Sequence, residues 1–218
     1  MQLAIPSRRI VVLVSLLLAS PAMIFWLWLV IVPAIVAVFC PVECWCCPGG
    51  YHVTCHGSLL TTVSLIRLTD IRVMELYDNI TLFERDSFVP RGLTEMEKLF
   101  VSGCELRTIE LGAFNGLKKL TELSITGNEI CEIIPGTFES ISNLERVDLS
   151  YNRLEHLDSG VFSGLFNLEY IHLGDNNLQY LHPDTFFVLP KLKHISFYNN
   201  PCLRIPTNHN FINSHSLS

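Results

Sequence analysis

Apolar and polar positions along most of this chain keep step with a period of 24 residues. Written as L-x-x-L-x-L-x-x-N-x-L-x-x-L with a phenylalanine further on, the pattern runs through five registers that begin at Met96, Leu120, Leu144, Leu168 and Leu192. Cys104, Asn128, Asn152, Asn176 and Asn200 fill the asparagine column, and Phe114, Phe138, Phe162 and Phe186 each stand ten residues beyond it. A looser copy (Ile71, Met74, Leu76, Asn79, Phe88) starts 25 residues before Met96. Within a unit, the alternation at Val147 and Leu149, or at Ile171 and Leu173, is that of a strand with one buried face. A single unit cannot bury that face, so neighbours must stack, with parallel strands on one side and irregular or short helical segments on the other. Where each strand turns, backbone groups inside the coil lose their partners. An inward asparagine carries both donor and acceptor, so Asn128, Asn152, Asn176 and Asn200 are expected to form a ladder bonding the turns above and below. The recurring phenylalanines are expected to fill the space behind the sheet.

These columns resemble the leucine-rich repeat family in its 24-residue extracellular form, over about Ile71 to the end of the sequence. The resemblance implies an α/β solenoid with parallel strands lining a concave face. It assigns 71–218 to repeats, about six of them, the last one truncated. Phe211 and Leu217 repeat the six-residue spacing of Phe186 and Leu192, so the chain is expected to be a piece of a longer protein.

The N-terminal end has a different pattern. Ile10 to Phe39 is apolar and uncharged, follows Arg8 and Arg9, and is interrupted by Pro21 and Pro33. The run is long enough for a signal peptide core or for a membrane span, with small residues suited to cleavage at Ser20 to Ala22. Segment 1–39 is therefore expected to be a hydrophobic helix acting as a signal peptide or an N-terminal anchor. In both cases the arginines stay cytosolic and everything after Cys40 is exported.

Segment 40–70 opens with five of the eight cysteines, Cys40, Cys44, Cys46, Cys47 and Cys55. A disulfide knot suits such a cluster, and so does a zinc site assisted by His52 and His56. Export favours disulfides, and a solenoid needs its first apolar edge capped. The block resembles the cysteine-rich N-terminal cap of leucine-rich repeat proteins, which implies the bridges Cys40 to Cys46 and Cys44 to Cys55; Cys47 departs from that pattern. Cys104 and Cys202 read as buried thiols and Cys131 as an outward one.

Composition narrows the function. With 49% hydrophobic and 17% charged residues the chain is too apolar for disorder, and a formal charge of -6 with no basic cluster argues against nucleic acid. No phosphate loop, metalloprotease motif or nucleophile elbow is present. Asp148, His172 and Ser196 would line up on neighbouring strands in the order a hydrolytic triad uses. An open sheet has its amides tied up in ladders and offers no oxyanion site, so the expectation is a non-enzyme without cofactor or metal. The outward residues Lys98, Phe100, Arg146, Asp148, Tyr170, His172, His194 and Tyr198 mix aromatics with charges, the types that carry interface energy. They are the candidate ligand-binding residues of a protein-binding module, as in adhesion or receptor ectodomains, secreted or held at the plasma membrane by an uncleaved apolar segment. A structural matrix component is the alternative outside the enzyme class. Asn79-Ile80-Thr81 is a glycan acceptor motif, usable only if Asn79 does not occupy the inward column.

Overall fold

A computed structural model describes residues 44–47, 51–56, 70–89, 92–187 and 189–204. The apolar run and its expected helix lie outside these residues, as does Cys40. Strand β1 (Cys44–Cys46) pairs antiparallel with β2 (His52–His56). From β2 onward the main sheet is parallel, through β3 (Val73–Tyr77), β5 (Lys98–Ser102), β7 (Glu122–Thr126), β8 (Arg146–Asp148), β10 (Tyr170–His172) and β12 (His194–Ser196). The inward pairs from Val53 with Cys55 to Ile171 with Leu173 are completely buried, and in the last coil Ile195 is buried while Phe197 is partly so. Two short parallel pairs follow the asparagine turns: β4 (Leu82–Phe83) with β6 (Thr108–Ile109), and β9 (His156–Leu157) with β11 (Tyr180–Leu181). The expected solenoid of stacked coils is what forms.

The return segments are turns with short 3-10 stretches such as Glu139–Ile141, and no α-helix occurs among the described residues. Positive-φ glycines explain this locally. Gly112 and Gly116 (80° and 86°), and Gly160 and Gly164 (both 83°), interrupt the return twice within five residues, too often for a helical turn to propagate.

Behind the sheet the phenylalanines stack. Phe88, Phe114, Phe138, Phe162 and Phe186 follow one another at ring separations of 6.2, 6.0, 6.1 and 5.7 Å, near parallel, and Phe83 and Phe197 pack edge-on against the ends of the row. The asparagines join each coil to the one before it. In Asn152, Oδ1 accepts from the Ile130 amide at 3.3 Å while Nδ2 donates to the carbonyls of Ile125, Leu149 and Ser150. Asn128, Asn176 and Asn200 repeat this scheme. The ladder thus bonds the preceding coil and its own turn, whereas bonds to both neighbours were expected. An amide has one carbonyl and one NH2, and its own turn takes up part of the donor capacity.

Two other expectations change, while Cys104 is the buried thiol expected. Asn79 is exposed with φ 52°, outside the inward column. Two residues, Asp78 and Asn79, span the gap that Gly103, Cys104 and Glu105 fill in the next coil, since Tyr77 pairs with Ser102 and Phe83 with Ile109. With one residue fewer, the turn has no inward position. Cys202 is exposed, and Leu203 packs against the core in its place. Pro201 carries no amide hydrogen and its φ is fixed, so the chain turns there, closed by Leu203 N–H to Asn200 O at 3.1 Å. Cys104 is buried, its thiol donating to the Leu76 carbonyl at 3.3 Å.

At the N-terminal end Cys44 and Cys55 are bridged across the β1–β2 pair. Cys46 is also disulfide-bonded, its expected partner Cys40 being outside the described residues, and Cys47, Cys104, Cys131 and Cys202 are free thiols.

Candidate functional site

Because inward residues alternate with outward ones, the five-residue strands turn three side chains and the three-residue strands two to the open face of the sheet. Register then stacks them in columns across the coils. The first column runs Val73, Lys98, Glu122, Arg146, Tyr170, His194, and the second Glu75, Phe100, Ser124, Asp148, His172, Ser196. These residues are half-buried or exposed and do no packing inside the coil.

Neighbours in the columns interact. Lys98 Nζ lies 2.7 Å from Glu122, and the Arg146 guanidinium sits 4.2 Å above the Tyr170 ring centroid. The rings of His172 and His194 are 5.5 Å apart and tilted. Phe100 stands between Glu75 and Ser124, and Tyr198, 71% exposed, follows the last strand.

Asp148, His172 and Ser196 are indeed in register on adjacent strands. Register alone does not couple them. The Asp148 carboxylate accepts from the Ser150 amide at 2.9 Å and from its hydroxyl at 2.5 Å, and the His172 ring faces that of His194. The triad order is present without the hydrogen-bond relay that would activate a hydroxyl.

The cap end carries its own polar network. His52 Nε2 lies 3.1 Å from Glu75, to which Thr54 Oγ1 and the Tyr77 hydroxyl donate at 3.2 and 3.4 Å. Burial first, and then the Glu75 charge, push the Tyr77 phenol above its ordinary value. His56 Nδ1 lies 3.2 Å from Asp78 and the imidazole stacks on Tyr77. Among the described residues the disulfide alternative is the one supported: Cys44, Cys46 and Cys55 are oxidised, and His52 and His56 face carboxylates in the first coil. A thiolate locked in a disulfide cannot ligate a metal.

One group at the open face is absent from the residues singled out by pattern. Past the strands runs a column of left-handed residues: Gly103, Gly127, Tyr151, Asp175 and Asn199, with φ of 64°, 63°, 56°, 52° and 53°. Tyr151 is 62% exposed, and Asp175 accepts from Asn199 Nδ2 at 2.6 Å. The Asp175 charge, and then its hydrogen bond with Tyr151, hold the Tyr151 phenol above the ordinary tyrosine value, with smaller contributions from Tyr198 and Asp148. Backbone bonds set these residues side by side, Tyr151 N–H to Gly174 O at 3.0 Å and Asp175 N–H to Tyr198 O at 2.8 Å. Two glycines heading the column were the signal that its later members sit on a turn beside the strands.

The leucine rich repeat family model matches residues 94–154 and 142–201. A crystal structure of a TLR13–ssRNA13 complex is similar over 71% of this chain, with 26% identity and a TM-score of 0.62. The matched region covers 22% of that chain, so this sequence corresponds to about a fifth of its length. The search of curated proteins returned no match.

Proposed function

This chain belongs to the leucine-rich repeat family, and we propose that the open face of its sheet is a binding surface for a protein ligand outside the cell. One observation carries the reading: a parallel sheet whose inner face is completely buried leaves a broad outer face of unpacked aromatics and charges, among them Phe100, Arg146, Tyr170 and Tyr198. Such a face can vary without disturbing the core, and exposed aromatics beside charges are the groups that dominate interface energies. The TLR13 structure holds a single-stranded RNA. Asp148 and Asp175 on this chain's face would repel phosphates, which supports a protein as ligand here. The disulfide cap supports export, whether the N-terminal apolar segment is cleaved as a signal or retained as an anchor. An adhesion or receptor role follows from that placement.

The test displays the chain, expressed through the secretory pathway, against an array of cell-surface ectodomains. Saturable binding to one of them is expected, and Tyr170→Ala with Tyr198→Ala should weaken it by about 30-fold or more, each ring being a candidate contact at ~1 to 2 kcal/mol. Undiminished binding by that variant would place the ligand elsewhere. Asn79, exposed beside the open face, is the proposed glycan site. A mass shift removed by an N-glycosidase and absent in Asn79→Gln checks it, and an unshifted wild-type chain from the secretory pathway refutes it.

A further inference from the structure

We propose that the rim formed by Tyr151, Asp175 and Tyr198, with Asp148 beside it, receives a basic side chain, arginine or lysine, of the protein ligand. The inference rests on the open face being the binding surface, and it specifies the chemistry of what binds there.

Aromatic exposure is the first support. Tyr151 and Tyr198 are 62% and 71% exposed, and the backbone brings them beside Asp175: the Tyr151 amide donates to the Gly174 carbonyl at 3.0 Å and the Asp175 amide to the Tyr198 carbonyl at 2.8 Å. A Cβ on Gly174 would come within 3.2 Å of the Tyr198 carbonyl oxygen. A side chain at this position would crowd Tyr198, so the glycine lets the Tyr198 strand end pack close against this coil. Tyr151 also occupies a left-handed turn position that Gly103 and Gly127 fill in the two preceding coils. A bulky side chain is disfavoured in that conformation, so the ring is kept at a cost to the fold.

Charge is the second support. Elsewhere on the open face carboxylates have basic neighbours, Glu122 with Lys98 and Glu75 with His52. Among the described residues neither Asp148 nor Asp175 enters an ion pair. Their partners are neutral: Ser150 for Asp148, and Asn199 for Asp175. These bonds orient the carboxylates without neutralising them; Asp148 has His172 in register beside it, whereas Asp175 has only neutral partners. Arg146 stands two residues before Asp148, about 7 Å away at the rise of an extended chain, and its guanidinium is engaged over the Tyr170 ring. Two carboxylates beside two exposed tyrosines suit a guanidinium or ammonium, which takes hydrogen bonds and charge from the acids and quadrupole attraction from the rings. Arg146 above Tyr170 is the same pairing made within the chain, at 4.2 Å. An acidic ligand would be repelled, and an apolar one would have to strip water from both carboxylates without replacing it.

The test uses the full, oxidised chain and two blocked eight-residue Gly/Ser peptides, one with two arginines and one with two glutamates, followed by NMR of isotope-labelled tyrosines. The arginine peptide should shift the Tyr151 and Tyr198 signals saturably, the glutamate peptide should not, and Asp148→Asn with Asp175→Asn should weaken the arginine peptide by about tenfold. The carboxamides keep an acceptor for Ser150 and Asn199. A second variant, Tyr151→Gly, restores the residue the preceding coils use and removes one ring without adding strain; it should weaken the peptide about fivefold. Equal response to the glutamate peptide, or arginine binding indifferent to these variants, overturns the proposal. An ectodomain ligand that needs Tyr170 but ignores Asp148→Asn with Asp175→Asn overturns the basic-side-chain inference alone. A ligand indifferent to every outward substitution overturns the open-face reading as well.

Discussion

Asn152 shows how much of this architecture can hang on one side chain. Its amide serves three carbonyls and one backbone N–H that have no solvent to turn to. Removing the partner of a buried polar group leaves its desolvation cost standing, ~1 to 3 kcal/mol for each group. Asn152→Ala should therefore lower stability by about 3 kcal/mol in urea unfolding, well beyond what the lost volume alone would do. Cys104 stands in the same column with one weak donor and suffices, because the shortened preceding turn lets the Ile80 amide bond the Cys104 backbone carbonyl at 2.9 Å. Burial pushes the Cys104 thiol up from 9.0 to about 11. A raised value favours the protonated thiol in the fold: the stabilisation is complete below pH 9, and is lost as pH climbs through about 11. At pH 8.5 iodoacetamide should accordingly modify Cys131 and Cys202 in the native chain and reach Cys104 only in denaturant. Equal labelling rates at the three thiols would show that the inner column is open.

The phenylalanine row couples one coil to the next as the strands do on the other side. Phe138 lies completely buried between Phe114 and Phe162, at 6.0 and 6.1 Å. Phe138→Ala should cost about 3 to 5 kcal/mol, since rigid neighbours on both sides cannot close the cavity. Phe186, which meets Phe197 edge-on and is slightly exposed, should cost less; thermal and urea unfolding of the two variants would rank them. The periodic elements were readable from sequence because period and burial are the same fact in a stacked coil: inward leucines, asparagines and phenylalanines cannot drift without exposing themselves. What was misread lies where the period slips. Asn79 follows a turn one residue short, and Cys202 follows Pro201, which redirects the chain; a column drawn at constant spacing passes through both. The outward columns were legible as positions, whereas the Tyr151 and Asp175 rim depends on turn conformation, which side-chain periodicity does not encode.

Stacked coils touch only their neighbours, so cohesion is a sum of intrinsic and nearest-neighbour contributions and need not be uniform along the chain. At one end β1 adds an antiparallel strand to β2, and the Cys44–Cys55 bridge ties the two together. Among the described strands, β5, β7 and β8 are hydrogen-bonded on both sides, whereas β12 has a parallel neighbour only in β10. Amide exchange should follow this order. Inner amides of β5, β7 and β8 should exchange at the rate of global opening, and those of β12 faster, through local release of the last coil. Reducing the bridge loosens an eleven-residue sequence separation, worth ~3 kcal/mol in chain entropy if the native geometry is unstrained. In a nearest-neighbour stack that loss should fall on β1, β2 and β3 and leave β7 and β8 protected. Uniform acceleration of exchange across all strands after reduction would mean that the coils open as one cooperative unit, with the cap as its keystone. In that event a ligand on the open face would stabilise the cap as strongly as the coils it touches.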